Sequence, residues 1–216
     1  MSCRRARRLP EPPMSDERIF EEQLLRLLKA VHPLDRVPRA GYLLRGVCEP
    51  ESVAAHLFGV SLLTLAFLEH YPGRWDPVRA LTMALAHDLA ESQLMDIPMP
   101  VADALLGRAK SEAEHALLEE LLGGLFPRWI AACREFDAAE TPEARLVRGL
   151  DKAQMMARVW CYERERRGYL EEFWTNPANF RDYGTPEVRS LFDAILSAAG
   201  KKRPDEKPSS GDVLQP

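Results

Sequence analysis

Residues 85–91, LAHDLAE, place one histidine and two carboxylates in an otherwise apolar run. An apolar run at helical spacing turns one face to the protein interior, where ionisable groups are costly unless something compensates their charge. A divalent metal ion is one such partner, because imidazole nitrogens and carboxylate oxygens are ordinary ligands of these ions. The stretch therefore predicts a helix and raises the question of a metal site.

Helical spacing of apolar residues extends from this stretch over most of the chain, and no segment alternates as a strand with hairpin turns. The sequence predicts an all-α fold, a helical bundle. The first helix begins near Ser15 and ends before Pro33, the second begins at Pro50, and Asp76 and Pro77 cap the third. We expect Val78, Leu81, Leu85 and Leu89 to face inward on the third helix, and further helices at 110–122, 127–139, 142–167 and 186–199.

Length and composition favour one domain. The chain has 216 residues, of which 46% are hydrophobic, enough to bury one sizeable core. We assign residues 15–199 to this domain. The flanking segments 1–14 and 200–216 are polar and contain prolines, so we expect both to be disordered tails.

Charge and cysteine usage narrow the function classes. The net charge is −4, which offers no basic footprint for nucleic acid. No run approaches the ~20 apolar residues that span a bilayer, and the arginine-rich N-terminus lacks the apolar segment of a signal peptide. The four cysteines form no CxxC pair, so we expect reduced thiols and a cytoplasmic protein without nucleic-acid or membrane partners.

Two further polar residues fall on apolar helix faces. His56 lies between Val53 and Val60, and Asp151 lies four residues after Val147. A single histidine in such a place is more often a hydrogen-bonded core residue than a ligand, and Lys152 or Arg148 could neutralise Asp151. Together with His87 and Asp88, however, the set offers two imidazoles and two carboxylates from three helices, which favours a divalent ion.

The ordered set His56, His87-Asp88 and Asp151 resembles the H...HD...D signature of the HD-domain metal-dependent phosphohydrolases. The flanking segments ESVAAH (51–56), ALAHDLAES (84–92), MDIP (95–98) and VRGLDKAQMM (147–156) are similar to those of the 5'-deoxynucleotidases in that family. The resemblance runs from about residue 35 to residue 162. It implies a helical HD-domain bundle that binds Co²⁺, Mn²⁺ or Mg²⁺ through these four residues.

The resemblance also implies roles for residues around the ion. Glu91 matches a glutamate that serves as general acid/base or as a ligand of a second metal, and Asp96 matches an aspartate that contacts the substrate or a second metal. The implied substrate-binding residues are Arg39 and Arg45 for the phosphate, Tyr42 for the sugar, Asp96, and the pocket wall Ile97, Pro98 and Met99. The sequence departs from the family where Met95 replaces a glycine and where Tyr42 replaces a tryptophan.

The activity implied by the resemblance is hydrolysis of a (deoxy)ribonucleoside 5'-monophosphate to nucleoside and phosphate, by a homodimer. Two alternatives stay open: a phosphohydrolase acting on a nucleoside triphosphate or another phosphorylated metabolite, and a catalytically silent metal-binding regulatory module. We expect His115, on a strongly charged helix, to be solvated rather than a ligand. The aromatic residues between 173 and 183 either cover the core or form an oligomer contact.

Overall fold

The computed structural model describes residues 16–98, 101, 105–122 and 124–204, and within these ranges it contains helices and no β-strand. The α-helices in chain order are α1 (Asp16–Val31), α2 (Ala40–Leu43), α3 (Val53–His70), α4 (Pro77–Ala86), α5 (Glu91–Leu94), α6 (Arg108–Leu122), α7 (Pro127–Ala138), α8 (Pro142–Arg164), α9 (Glu171–Thr175) and α10 (Pro186–Ala199). Two 3₁₀ helices, η1 (His32–Asp35) and η2 (Pro177–Phe180), complete the fold. The predicted all-α class is confirmed.

Several helix starts follow from capping residues in the sequence. Asp76 accepts a hydrogen bond from the Arg79 amide at 3.0 Å and so caps α4, as predicted. The second predicted helix begins at Val53 rather than at Pro50, because the Ser52 hydroxyl accepts from the Ala55 amide at 3.2 Å. Local side-chain chemistry therefore sets where these helices begin.

The core lies between α3, α4 and α8, which pack against one another. Val60 of α3, Met83 of α4 and Val147 of α8 are fully buried in one cluster. Because α3 and α8 carry His56 and Asp151, and α4 leads directly into His87, packing of these three helices also brings the polar residues together.

The predicted inward face of the third helix is wrong at Val78 and Leu85, whereas Leu89 is buried as predicted and Leu81 is half-buried. Val78 and Leu85 are 76% and 56% exposed, whereas Ala80 and Ala84 are fully buried. Small side chains let α4 approach its neighbours closely, so the alanine face packs inward with Met83 and larger apolar side chains remain outside. On α3, the exposed side chains Phe58, Leu62 and Leu65 recur at helical spacing.

By length and composition, α3 would suffice to cross a membrane, and no other helix in the described ranges meets that test. In this fold the helix packs on α4 and α8, and His56, Val60 and Thr64 on it are fully buried. It is therefore the helix that carries one wall of the polar site.

Aromatic side chains of the C-terminal third belong to the core. Trp174 and Phe180 are 2% and 4% exposed and pack in the cluster that includes Phe192. Within the segment predicted to be a tail, Lys201 forms an ion pair with Glu171 at 2.5 Å and Arg203 forms one with Asp193 at 2.8 Å. The folded body thus extends past Ala199, while residues 1–15 and 205–216 lie outside the described part of the chain.

Candidate metal centre

Two buried histidines present bare ring nitrogens to a common point. The Nδ1 atom of His56 lies 2.7 Å from the Gln154 Oε1 atom, and the Nδ1 atom of His87 lies 3.2 Å from the carbonyl oxygens of Met83 and Ala84. Carbonyl and amide oxygens only accept hydrogen bonds, so Nδ1 carries the proton in both rings and Nε2 presents a lone pair. Both Nε2 atoms are buried without a hydrogen-bond partner among the described residues.

Two carboxylates face these nitrogens. The Asp88 Oδ2 atom lies 3.7 Å from His56 Nε2 and 3.5 Å from His87 Nε2. Asp151 reaches the same point from α8, with its Oδ1 atom 3.1 Å from His56 Nε2. Ligand atoms of His56, His87 and Asp88 all lie within 4.8 Å of one another. The structure thus brings together the four residues that the sequence predicted as metal ligands, and the donor set fits a divalent ion.

Two adjacent residues, His87 and Asp88, serve one site at the end of α4. Helix α4 ends at Ala86, and the Leu89, Glu91 and Ser92 amides bond to carbonyls three residues earlier, at 3.0 to 3.2 Å. On a continuous helix the His87 and Asp88 side chains would diverge by about 100°. Both side chains nevertheless reach the same point, because the Asp88 carboxylate extends back towards the His87 ring, with Oδ2 3.5 Å from Nε2.

Arg39 is surrounded by carboxylates beside this point. Its Nη1 atom lies 2.9 Å from Asp96, 3.5 Å from Asp88 and 3.8 Å from Glu91. Burial alone would lower the pKa of Arg39, but attraction to Asp96, Asp88 and Glu91 outweighs it and raises the pKa above its ordinary value. The guanidinium therefore stays charged at the edge of the proposed metal site.

Asp96 holds Arg39 in place. Its Oδ1 atom accepts from Arg39, and its Oδ2 atom accepts from the Ala40 amide at 2.5 Å. Met95, immediately before it, has φ 67° and ψ 166°, a backbone conformation that favours glycine. Met95 therefore adopts a positive φ that glycine would adopt with less strain.

The carboxyl groups in the site have opposite pKa shifts. Burial and the nearby Asp88 carboxylate raise the pKa of Glu91 to about 10, and its Oε2 atom is buried without a hydrogen-bond partner. Burial also opposes ionisation of Asp88, but His87, Arg39 and His56 outweigh it and lower the pKa of Asp88. The pKa of Asp151 is well below its usual range because Lys152 and His56 overcome the effect of burial. The metal-free site therefore combines ionised aspartates with a protonated glutamate.

The predicted substrate residues within the described part of the chain line one cleft, and some of them are already buried or paired with other residues. Arg39, Tyr42, Arg45, Asp96, Ile97 and Pro98 all border it. The Tyr42 ring is 2% exposed, its hydroxyl donates to the Met155 carbonyl at 3.1 Å, and its ring stacks on Phe173. Arg45 forms an ion pair with Glu172 at 2.5 Å. Met99 lies outside the described residues.

Other residues at the site were missed by sequence reasoning. Gln154 and Glu51 extend the contacts of His56, and their only sequence signal is their position inside the flanking segments VRGLDKAQMM and ESVAAH. Lys110 also lines the cleft, but its charged helix gave it the pattern of an exposed residue. His115 is not simply solvated, because its Nε2 atom lies 2.8 Å from Asp137.

Comparison with known proteins agrees with this geometry. Residues 31–187 match a family model described as HD domain. The chain is 29% identical over 197 residues to 5'-deoxynucleotidase HDDC2 of Danio rerio, covering 85% of this chain and 95% of that protein. It is 31% identical over 147 residues to 5'-deoxynucleotidase hdd1 of Schizosaccharomyces pombe, covering 65% and 73%. The crystal structure of PH0347 protein from Pyrococcus horikoshii OT3 is similar, with TM-score 0.67, 34% identity and coverage of 84% of this chain and 99% of that one.

Proposed function

This chain belongs to the HD-domain family and is a metal-dependent phosphohydrolase, and from that premise we propose that it is a 5'-deoxynucleotidase. The reaction is hydrolysis of a deoxynucleoside 5'-monophosphate to nucleoside and phosphate. One observation carries the proposal: the buried Nε2 atoms of His56 and His87 and the carboxylates of Asp88 and Asp151 meet at one point beside Arg39 and Glu91. The names of the relatives support the choice of substrate.

The metal is held by His56, His87, Asp88 and Asp151 in this proposal, and Co²⁺, Mn²⁺ and Mg²⁺ all suit the donor set. When bound, such an ion polarises a phosphoryl oxygen and lowers the pKa of a coordinated water. The family resemblance also offers Glu91 and Asp96 as ligands of a second ion. Both Asp96 oxygens are engaged by Arg39 and the Ala40 amide, which supports a positioning role for Asp96.

The residues of the chain supply binding and proton transfer. Arg39 binds the non-bridging phosphate oxygens and stabilises the negative charge that develops on them. Glu91 lies beside Asp88 and Arg39, where it can take the proton of the attacking water or pass one to the leaving 5'-oxygen. The ion pair with Asp96 holds the Arg39 side chain in position for this contact.

The nucleoside occupies the part of the cleft beyond Arg39. That part is bordered by Ile97, Pro98 and Phe173, which offer apolar surface to a sugar and a base. Tyr42 is 2% exposed and its hydroxyl donates to a backbone carbonyl, so it supports this wall through its stack on Phe173.

Substrates with more phosphates are less well matched to the site. Lys110, Arg148 and Lys152 also line the cleft. Each has an acidic partner, namely Glu114 for Lys110, Asp137 for Arg148 and Asp151 for Lys152. A triphosphate would have to compete for these cations, so a monophosphate is favoured.

We further propose a cytoplasmic homodimer. The exposed apolar side chains Phe58, Leu62 and Leu65 on α3, with Val78 and Leu85 on the packed neighbour α4, support a second copy as the partner. The described cysteines Cys48, Cys133 and Cys161 are free thiols, which suits a reducing compartment. Light scattering of wild type and Leu62→Lys tests the dimer, and a wild-type monomer at micromolar concentration would contradict it.

The test of activity is phosphate release from dAMP, dGMP, dCMP, dUMP and dTMP, with their ribonucleotide counterparts, in the presence of Co²⁺, Mn²⁺ or Mg²⁺. We expect release from at least one deoxynucleotide, and we expect Glu91→Gln to retain the metal while turnover falls at least 100-fold. The matched control is Glu120→Gln, an exposed glutamate on α6. Absence of phosphate release from every monophosphate would rule out the proposed substrate class. Full activity of Glu91→Gln would rule out the proposed role of Glu91 in proton transfer.

A further inference from the structure

A series of hydrogen bonds extends from His56 to the protein surface through Gln154, Glu51 and Arg158, which do not line the cleft. The His56 Nδ1 atom lies 2.7 Å from Gln154 Oε1, and Gln154 Nε2 donates to Glu51 Oε2 at 3.0 Å. The same Glu51 oxygen accepts from Arg158 Nε at 2.8 Å. The His56, Gln154 and Glu51 side chains are buried, and Arg158 closes the chain at 37% exposure.

Donors and acceptors in this series of hydrogen bonds can be arranged in only one way. The Glu51 carboxylate can only accept hydrogen bonds, so the amide NH₂ of Gln154 must face it and the amide oxygen must face His56. An amide oxygen only accepts, so the proton of the His56 ring must sit on Nδ1. In the neutral ring the lone pair is then on Nε2, the atom that faces Asp88 and Asp151.

The two histidines differ in what orients them. The Nδ1 atom of His87 is placed by backbone carbonyls of its own helix, which no single substitution removes. The Nδ1 atom of His56 depends on one side chain, that of Gln154, 98 residues away in sequence. Gln154 packs directly against Gly59 on α3, where a Cβ atom would lie 2.9 Å from the Gln154 side chain. The absence of a side chain at Gly59 therefore provides the space that Gln154 fills.

We propose that Gln154, itself held by Glu51 and Arg158, is the positioning residue that selects the Nδ1-protonated form of His56 and so sets the affinity of the site for a divalent ion. The metal part of this inference rests on the proposed function, whereas the tautomer part concerns the metal-free protein. Outer hydrogen bonds of this kind change metal affinity by about 10- to 100-fold when removed.

The first experiment measures the tautomer directly. Nitrogen-15 spectra of histidine-labelled, metal-free protein are recorded at pH 8, and His56→Gln identifies the His56 signals. We expect a protonated Nδ1 and a bare Nε2 in the wild type, and a loss of this preference in Gln154→Leu. A wild-type His56 protonated on Nε2, or an unchanged spectrum in Gln154→Leu, overturns the proposal whether or not the protein binds metal.

The second experiment measures Mn²⁺ affinity by titration calorimetry of the metal-free protein. We expect Kd to rise 10- to 100-fold in Gln154→Leu. Gly59→Ala should have the same direction of effect, because its new methyl group displaces the end of a flexible side chain and leaves the polar residues unchanged. The control is Thr64→Val, which removes a buried hydroxyl that donates to the Val60 carbonyl of the same helix.

A swap of two residues separates positioning from general stability. In the double variant Glu51→Gln with Gln154→Glu, the new carboxylate accepts from His56 and from the new amide at 51, and total charge is conserved. We expect Kd to return to within about threefold of the wild type, with urea unfolding measured for each variant. A Kd that stays at the wild-type value in both Gln154→Leu and Gly59→Ala overturns the role in affinity, even if either variant is less stable.

Discussion

Replacing Arg39 by glutamine removes the cation that contacts the carboxyl groups of Asp88, Glu91 and Asp96. The Arg39 side chain is 16% exposed, and those of Asp88, Glu91 and Asp96 are 18%, 4% and 9% exposed. Glutamine retains a hydrogen-bond donor but leaves these carboxyl groups without their cation. The metal-free protein should therefore lose stability, and the loss should depend on metal.

The size of the loss follows from the contacts. Removing one partner of a buried ion pair costs about 3–5 kcal/mol. Asp96 keeps its bond to the Ala40 amide and Glu91 is protonated, so we expect about 2–3 kcal/mol, or roughly 5–10 °C in Tm for a chain of this size. A bound divalent ion supplies positive charge to Asp88, so saturating Mn²⁺ should reduce the deficit by at least half. Turnover should fall about 10²- to 10³-fold, as for loss of one donor to a developing anion.

Thermal and urea unfolding of Arg39→Gln and wild type, in EDTA and in Mn²⁺, measure this deficit. Arg128→Gln on α7, where the arginine is exposed, is the control and should change stability by less than about 0.5 kcal/mol. An Arg39→Gln deficit equal in EDTA and in Mn²⁺, or no larger than that of the control, would refute the charge argument.

Three further predictions concern single residues. Because the folded-state pKa of Glu91 is raised to about 10, its contribution to stability is full below about pH 4.5 and is lost as pH rises towards 10. In EDTA, wild type should lose up to about 1.4 kcal/mol per pH unit more than Glu91→Gln between pH 6 and 8, and parallel pH profiles in urea unfolding would contradict this. Met95→Gly should raise the free energy of unfolding by about 1 kcal/mol, because relief of the positive φ outweighs the flexibility of glycine, and an unchanged urea midpoint would argue against strain. Gly149→Ala should lower it by about 1–3 kcal/mol, because the new Cβ would lie 2.8 Å from Val188, and a neutral result in the same assay would show that α10 shifts freely.

The sequence alone determined the helices and the residues with unusual polarity. Helical spacing and capping residues such as Asp76 act within a few positions, so they predicted most helix bounds and the all-α class. His56, His87, Asp88 and Asp151 stood out because ionisable groups in apolar runs need compensation, and their order along the chain pointed to the family. Each of these signals is local, or is a pattern of local signals.

Tertiary structure decided which faces meet and which atoms pair. The inward face of α4 is its alanine face, because close approach of helices depends on side-chain size as well as on hydrophobicity. Arg39 and Asp96 are 57 positions apart, and His56 and Gln154 are 98 apart, so neither pair lies within reach of a local pattern. Polar pairs of this kind are set by how the helices cross. The sequence therefore determined the chemistry available to the site, and the packing of α3, α4 and α8 determined which nitrogen or oxygen faces which.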